Sequence, residues 1–116
     1  MACVFCKIAA GEIPAKVVQA DDAVMAFHDI APRAPIHVLV IPRKHIASVA
    51  DSADGDRDLM GRMMQTARQV AEQLGIAERG YRLIVNVREH GGQEVPHLHL
   101  HVLGGKALGP MLARAT

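Results

Sequence analysis

A chain of 116 residues, half of them apolar, has material for one hydrophobic core and little for a second, so one domain over residues 1–116 is expected and disorder is not. Thirteen basic and twelve acidic residues leave a formal charge of +1, with no cationic excess for a polynucleotide or a membrane surface. No apolar run reaches membrane-span length, and Lys7 and Gly11–Glu12 interrupt the opening residues too early for a secretory signal, so a cytosolic protein is expected.

The elements follow in chain order. Val4–Ala10 reads as a short helix ended by Gly11 and Pro14. At its start, Cys3 and Cys6 form a Cys-x-x-Cys pair. In a reducing compartment a stable disulfide is disfavoured, which leaves a redox pair, half of a metal site, or two small core residues. Lys16–Ala20 and the stretch "AVMAFHD" read as two strands joined at Asp21–Asp22, and Ile30–Pro35, with two prolines, as a loop. His37–Pro42 is a near-continuous apolar run of the buried-strand kind.

Four acids, Asp51, Asp54, Asp56 and Asp58, then suit a helix N-terminus. A long helix over Asp56–Leu74 is predicted from the stripe Leu59, Met63, Ala67, Val70 and Leu74, with Gly75 as its C-terminal stop. Met25, Met60, Met63 and Met64 read as core, and Arg57, Arg62 and Arg68 as the wetted face of that helix. Tyr81–Val87 reads as a strand, "REHGGQE" as a polar loop, and Val95–Leu103 as the last strand. Short turns between strands predict an α+β fold: about five antiparallel strands with one long and one short helix.

The last strand holds three of the seven histidines. Residues two apart on a strand share a face, so His97, His99 and His101 point one way and Leu98, Leu100 and Val102 point into the core. Same-face neighbours lie about 6.5–7 Å apart, a gap that a water, a metal or a phosphate can bridge. Three readings are open on spacing alone: a solvated strand face, a metal site, or nucleophilic catalysis at phosphorus by a neutral imidazole. Gly91–Gly92 reads as a turn or as a backbone cradle for an anion, and Asn86 as a strand-end cap or as an amide facing the same site. His37 opens another central strand.

"HLHLH" followed by Val102 resembles the His-x-His-x-His-x-x pattern of the histidine triad (HIT) family. "FHDIAPRAPIHVLVIPRKH", "GEIPAK" and "GGQEVPHLHLHVLGG" are similar to its Hint branch of nucleotide-binding phosphoramidases, and the resemblance runs from Val4 to about Leu112. It implies the HIT-like fold and a homodimer whose sheets join. It also implies hydrolysis of purine nucleoside 5′-phosphoramidates or acyl adenylates through a nucleotidyl-histidine, with no metal required for catalysis.

The implied roles attach to residues. His99 is the nucleophile, His101 holds phosphate oxygens, and His97 and His37 orient or polarise. Asn86, Gly92, Gln93 and Glu94 match the phosphate side; Asp29 matches the ribose acid, with Ile30 beside the base. Val4, Phe5, Ile8, Phe27 and Leu39 form an apolar slot for the purine. Glu94 stands where animal Hint proteins carry a serine, and a carboxylate there acts as a general acid only with a raised pKa. A subset of the family holds a structural zinc, for which the matching residues are Cys3, Cys6, His45 and His97. His28, His90, Arg33 and Arg88 read as surface or site-edge residues. Two other functions compete: a dinucleoside polyphosphate hydrolase of the Fhit type, and a zinc-stabilised nucleotide sensor without turnover.

Overall fold

A computed structural model of the chain describes residues 3–113; residues 1–2 and 114–116, the ends of the expected 1–116 domain, lie outside the described residues. The elements are α1 (Val4–Ala9), β1 (Val17–Ala20), β2 (Val24–His28), β3 (Ile36–Pro42), α2 (Arg57–Gln73), β4 (Arg82–Ile84), α3 (Arg88–Gly91) and β5 (Leu100–Gly104). Two single 3₁₀ turns, Val49–Asp51 and Asp54–Asp56, precede α2. The strands form one antiparallel sheet in the order β1-β2-β3-β5-β4. The α+β expectation is met.

β2 and β3 are central strands, which is why their runs are apolar on both faces. Val24, Ala26, Val38, Val40, Leu98, Leu100 and Val102 pack under α2 against Met63, Ala67 and Val70. Phe27, Met25, Leu39 and Ile41 face the other way and are covered by Phe5 and Ile8 of α1. Alternation along each strand therefore separates a main core from a smaller apolar layer on the second face. Arg62 bonds Asp21 and Asp22 and so ties α2 to the β1–β2 turn.

Four expectations need correction. Tyr81–Val87 pairs only over Arg82–Ile84, because β4 is an edge strand whose single partner begins at Leu100. The polar loop contains a one-turn helix, closed by Gly92 at φ 81°. The last strand starts at Leu100 rather than Val95: Pro96 has no amide hydrogen, and Leu98 N–H donates to Ile46 O at 2.7 Å instead of to a sheet neighbour. Met64 is 52 % exposed, on the outer face of α2, and is not core.

α2 loses only its terminal residues relative to expectation, since Asp56 and Leu74 cap it. The Asp56 carboxylate accepts from Ala53 N–H at 2.8 Å and pairs with Lys44 at 2.6 Å, and these contacts lower its pKa. After β5, Gly105 turns at φ 94°, and a Cβ there would stand 2.9 Å from Pro35 Cβ. Gly105→Ala is expected to cost about 1–3 kcal/mol of stability, read as a lower urea midpoint at unchanged slope.

Candidate active site and metal cluster

The residues between Val95 and Leu100 keep an alternating direction although they are outside the ladder. His97, His99 and His101 therefore stand on the face opposite the main core, but they do not share one site. His97 is fully buried beside the two cysteines, whereas His99 and His101 open onto a cavity of about 350 Å³.

One end of that cavity is apolar. Val4, Phe5 and Ile8 of α1 face Phe27 and Leu39 of the sheet, and Phe5 meets Phe27 edge-on at 5.7 Å. The other end is polar, with Asp29, His37, Asn86, Gly92, Glu94, His99 and His101. Ile30 lies at the rim and is wholly exposed. Gln93 is not in the lining. Its amide nitrogen donates to Ala47 O and Val95 O, and its oxygen accepts from Arg88 N–H, so it braces the loop instead. Pro14 and Ala15 also line the cavity; they lie within "GEIPAK", a stretch already marked by the resemblance. Arg33 lines it too and pairs with Glu94 at 3.0 Å, a contact across 61 residues that no local pattern announces.

Hydrogen-bond partners assign the ring protons. His99 Nδ1 donates to the His97 backbone carbonyl at 2.8 Å, which in the neutral ring puts the lone pair on Nε2. The Arg33 backbone N–H donates to His37 Nδ1 at 3.1 Å, so neutral His37 carries its proton on Nε2. That Nε2 donates to His101 Nδ1 at 2.9 Å and also lies 3.5 Å from Asp29. His101 in turn carries its proton on Nε2. Burial, reinforced by the neighbouring His99 and His37, pushes His101 down to about 4. Burial also lowers His37, against the pull of Asp29.

Asp29, His37 and His101 converge closely enough to suggest a metal. The Arg33 N–H contact argues otherwise, because ligation through His37 Nε2 would move its proton to Nδ1 and set two N–H groups against each other. The trio is a hydrogen-bond relay that aims one N–H of His101 at the polar end.

The pH dependence of stability follows from the depressed histidine. Between about pH 6.5 and 4 the unfolded chain holds a proton on residue 101 that the folded chain does not, so stability falls as pH drops through that window. Thermal melts from pH 7 to 4 are expected to show this loss, and His101→Gln to make it shallower.

The second cluster lies behind α1. Cys3 Sγ and Cys6 Sγ stand 3.3 and 3.5 Å from His97 Nδ1, Cys6 Sγ stands 3.3 Å from His45 Nδ1, and the two Nδ1 atoms are 3.1 Å apart. Tetrahedral zinc with ordinary Zn–N and Zn–S bonds requires ligand–ligand edges of about 3.3–3.8 Å. His97 Nε2 donates to Pro42 O at 2.8 Å, which frees Nδ1 toward the sulfurs. Burial lowers the His97 pKa and so favours the neutral ring that a metal requires. Two soft sulfurs and two imidazole nitrogens form a closed donor set that fits zinc.

A HIT domain family model matches residues 10–108. A protein of Escherichia coli strain K12 called purine nucleoside phosphoramidase is 54% identical over 110 residues, covering 95% of this chain and 92% of that protein. A HIT family hydrolase from Legionella pneumophila Philadelphia 1 superposes with a TM-score of 0.91 at 51% identity, over 93% of this chain and 96% of that one. A histidine triad protein from Clostridium difficile does so with 0.93 at 45% identity, over 97% of each chain.

Proposed function

The chain belongs to the HIT domain family, and from that membership and the geometry of its polar pocket we propose that it hydrolyses purine nucleoside 5′-phosphoramidates through a covalent nucleotidyl-histidine. The observation that carries this reading is the His99 Nδ1 contact with the His97 carbonyl, which leaves Nε2 unprotonated toward the cavity. Phosphoramidase activity in the E. coli relative supports the choice of bond.

The purine takes the apolar slot of Phe5, Phe27, Ile8 and Leu39, and Asp29 accepts from ribose hydroxyls. His99 Nε2 attacks phosphorus, the P–N bond breaks, and the departing nitrogen takes up one proton and leaves as the amine. Water then attacks the same phosphorus, the N–P bond to His99 breaks, one proton returns to solvent, and the nucleoside monophosphate departs. The His101 Nε2–H donates to a phosphoryl oxygen while charge builds there, and its low pKa keeps it a neutral donor throughout. Quenching turnover of adenosine 5′-phosphoramidate in alkaline denaturant, where a phosphorus–imidazole bond persists, is expected to leave an adenylyl-sized mass on the peptide containing His99. A labelled peptide elsewhere, or none during turnover, overturns the reading.

Cys3, Cys6, His45 and His97 would hold zinc, which when bound cross-links α1 to the sheet and supplies no catalytic chemistry. His97 then serves through its backbone oxygen. We also read the chain as a homodimer joined through a free sheet edge; β1 and β4 are the outer strands. Light scattering on the purified chain checks this.

A further inference from the structure

The loop between β4 and β5 brings Asn86, Gly92 and Glu94 to the polar end of the cavity. This loop contains a strained residue. Arg88 has φ 57°, in the left-handed region, and among the described residues it is the one non-glycine there. A Cβ crowds the following carbonyl oxygen in that conformation, so other contacts must hold it. The Arg88 N–H donates to Gln93 Oε1 at 2.8 Å, the Gln93 N–H returns to Arg88 O at 3.1 Å, and the Arg88 guanidinium donates to Asp51 at 2.8 Å. The guanidinium pair is largely exposed and worth little, so the hold falls mainly on Gln93.

The other half of the Gln93 amide reaches further. Its Nε2 donates to Ala47 O at 2.7 Å and to Val95 O at 2.9 Å. The reverse amide orientation would set an oxygen against two carbonyls, so the assignment is fixed by its partners. A carboxamide has two N–H hydrogens, and both are committed. A phosphate oxygen takes only donors, and this side chain has none left to offer. The place it binds matters instead. Ala47 follows Ile46, whose carbonyl accepts from Leu98 N–H at 2.7 Å, and Leu98 precedes His99. The phosphate loop and the segment of the attacking ring therefore hang from adjacent carbonyls of one connector, the residues that follow β3.

We propose that Gln93 is a positioning residue for the reaction at phosphorus: it ties the loop of Asn86, Gly92 and Glu94 to the connector at Ala47, with Arg88 held left-handed as the closing turn, and so fixes the phosphate side of the cavity relative to His99. The assignment rests on the nucleotide reading of that cavity and adds to it the residue that shapes the phosphate end. Gln93 acts through the loop and touches no substrate. The apolar slot is built by α1, β2 and β3, and the Gln93 amide bonds none of them.

The test uses Gln93→Met, which keeps the length and neutrality of the side chain and removes its bonds, and compares the binding of adenosine 5′-monophosphate with that of adenosine by calorimetry. The wild type is expected to prefer the monophosphate, and that preference to shrink about tenfold in the variant, as for the loss of one bond to a charged group. Adenosine affinity is expected to change by less than about twofold, since its slot is independent of the loop. The kcat for adenosine 5′-phosphoramidate is expected to fall about 10- to 100-fold, the scale of a misplacement near 1 Å. In the ligand-free variant the Gly92 amide, which donates to Glu89 O at 3.0 Å, is expected to exchange with solvent about tenfold faster. Arg88→Gly added to Gln93→Met removes the strain at residue 88 and is expected to return part of the monophosphate preference. The double variant needs less holding and gives the same comparison if the single one does not fold. A preference lost with Gly92 exchange unchanged makes Gln93 a direct phosphate ligand and overturns the proposal. A lower melting temperature with the preference intact leaves Gln93 a structural residue and overturns it as well. No recovery in the double variant overturns the part given to Arg88. A wild type that binds the two ligands equally overturns the nucleotide reading of the cavity instead, so the two failures are distinguishable.

Discussion

His99→Ala is expected to lower kcat for adenosine 5′-phosphoramidate by about 10,000-fold or more, since removal of a nucleophile leaves only the binding and electrostatic remainder. The affinity for the monophosphate product is expected to change by less than about fivefold, because the purine slot and the ribose acid are untouched. The loss has two physical sources. The alanine provides no atom to form the intermediate, and the His97 carbonyl loses the N–H that it accepts at 2.8 Å. The space the ring vacates can admit a water that donates to that carbonyl instead, so the fold is expected to survive. Paired kinetics and calorimetry read both quantities. Turnover that persists in the variant would remove His99 as nucleophile. An unchanged cellular phenotype alongside lost turnover would favour a nucleotide sensor. His101→Asn should be milder, about 100- to 1,000-fold in kcat, as for the loss of one donor to a developing oxyanion.

Cys6→Ser is expected to remove zinc from a wild type that carries one ion per chain, and to lower the melting temperature by about 10 °C or more. The size follows from what the cluster holds together. α1 has six residues, too few to persist unaided, and it stays in place through Phe5 and the two thiols. His45 and His97 reach the same point from the chain beyond β3 and the approach to β5. Losing the ion frees a helix that supplies Val4, Phe5 and Ile8 to the base slot, so KM should rise along with the loss of stability. Phe5 also packs edge-on against His99 at 5.2 Å and His97 at 5.9 Å, which links helix position to the nucleophile. Elemental analysis of the purified protein together with thermal melts measures both effects. A wild type free of zinc with an unaltered melt in Cys6→Ser would leave the four residues as a hydrogen-bonded cluster only.

The legibility of the chain varied with how local the deciding force was. The α2 stripe could be read because helical periodicity and the caps at Asp56 and Leu74 lie within a few residues of one another. β2 and β3 could be read because central strands bury both faces. The extent of β4 and β5 could not. Pairing length is set by what lies opposite, and the backbone of Leu98 finds Ile46 rather than a strand. Gln93 illustrates the same limit: its place in a motif suggested a ligand contact, while its amide is taken by Ala47 and Val95.

The sequence by itself determined the alternation that turns three imidazoles away from the main core, the pattern that marks the family, and the four donors suited to zinc. The family resemblance offered His97 both to a zinc set and to the catalytic triad; only the tertiary structure put it against the cysteines and outside the cavity that His99 and His101 line. It alone also assigned the ring protons, through the Arg33 N–H, the His97 carbonyl and the Pro42 carbonyl. The reason is that side-chain direction is a property of neighbouring residues, whereas the protonation of a ring depends on partners brought near by the folded backbone.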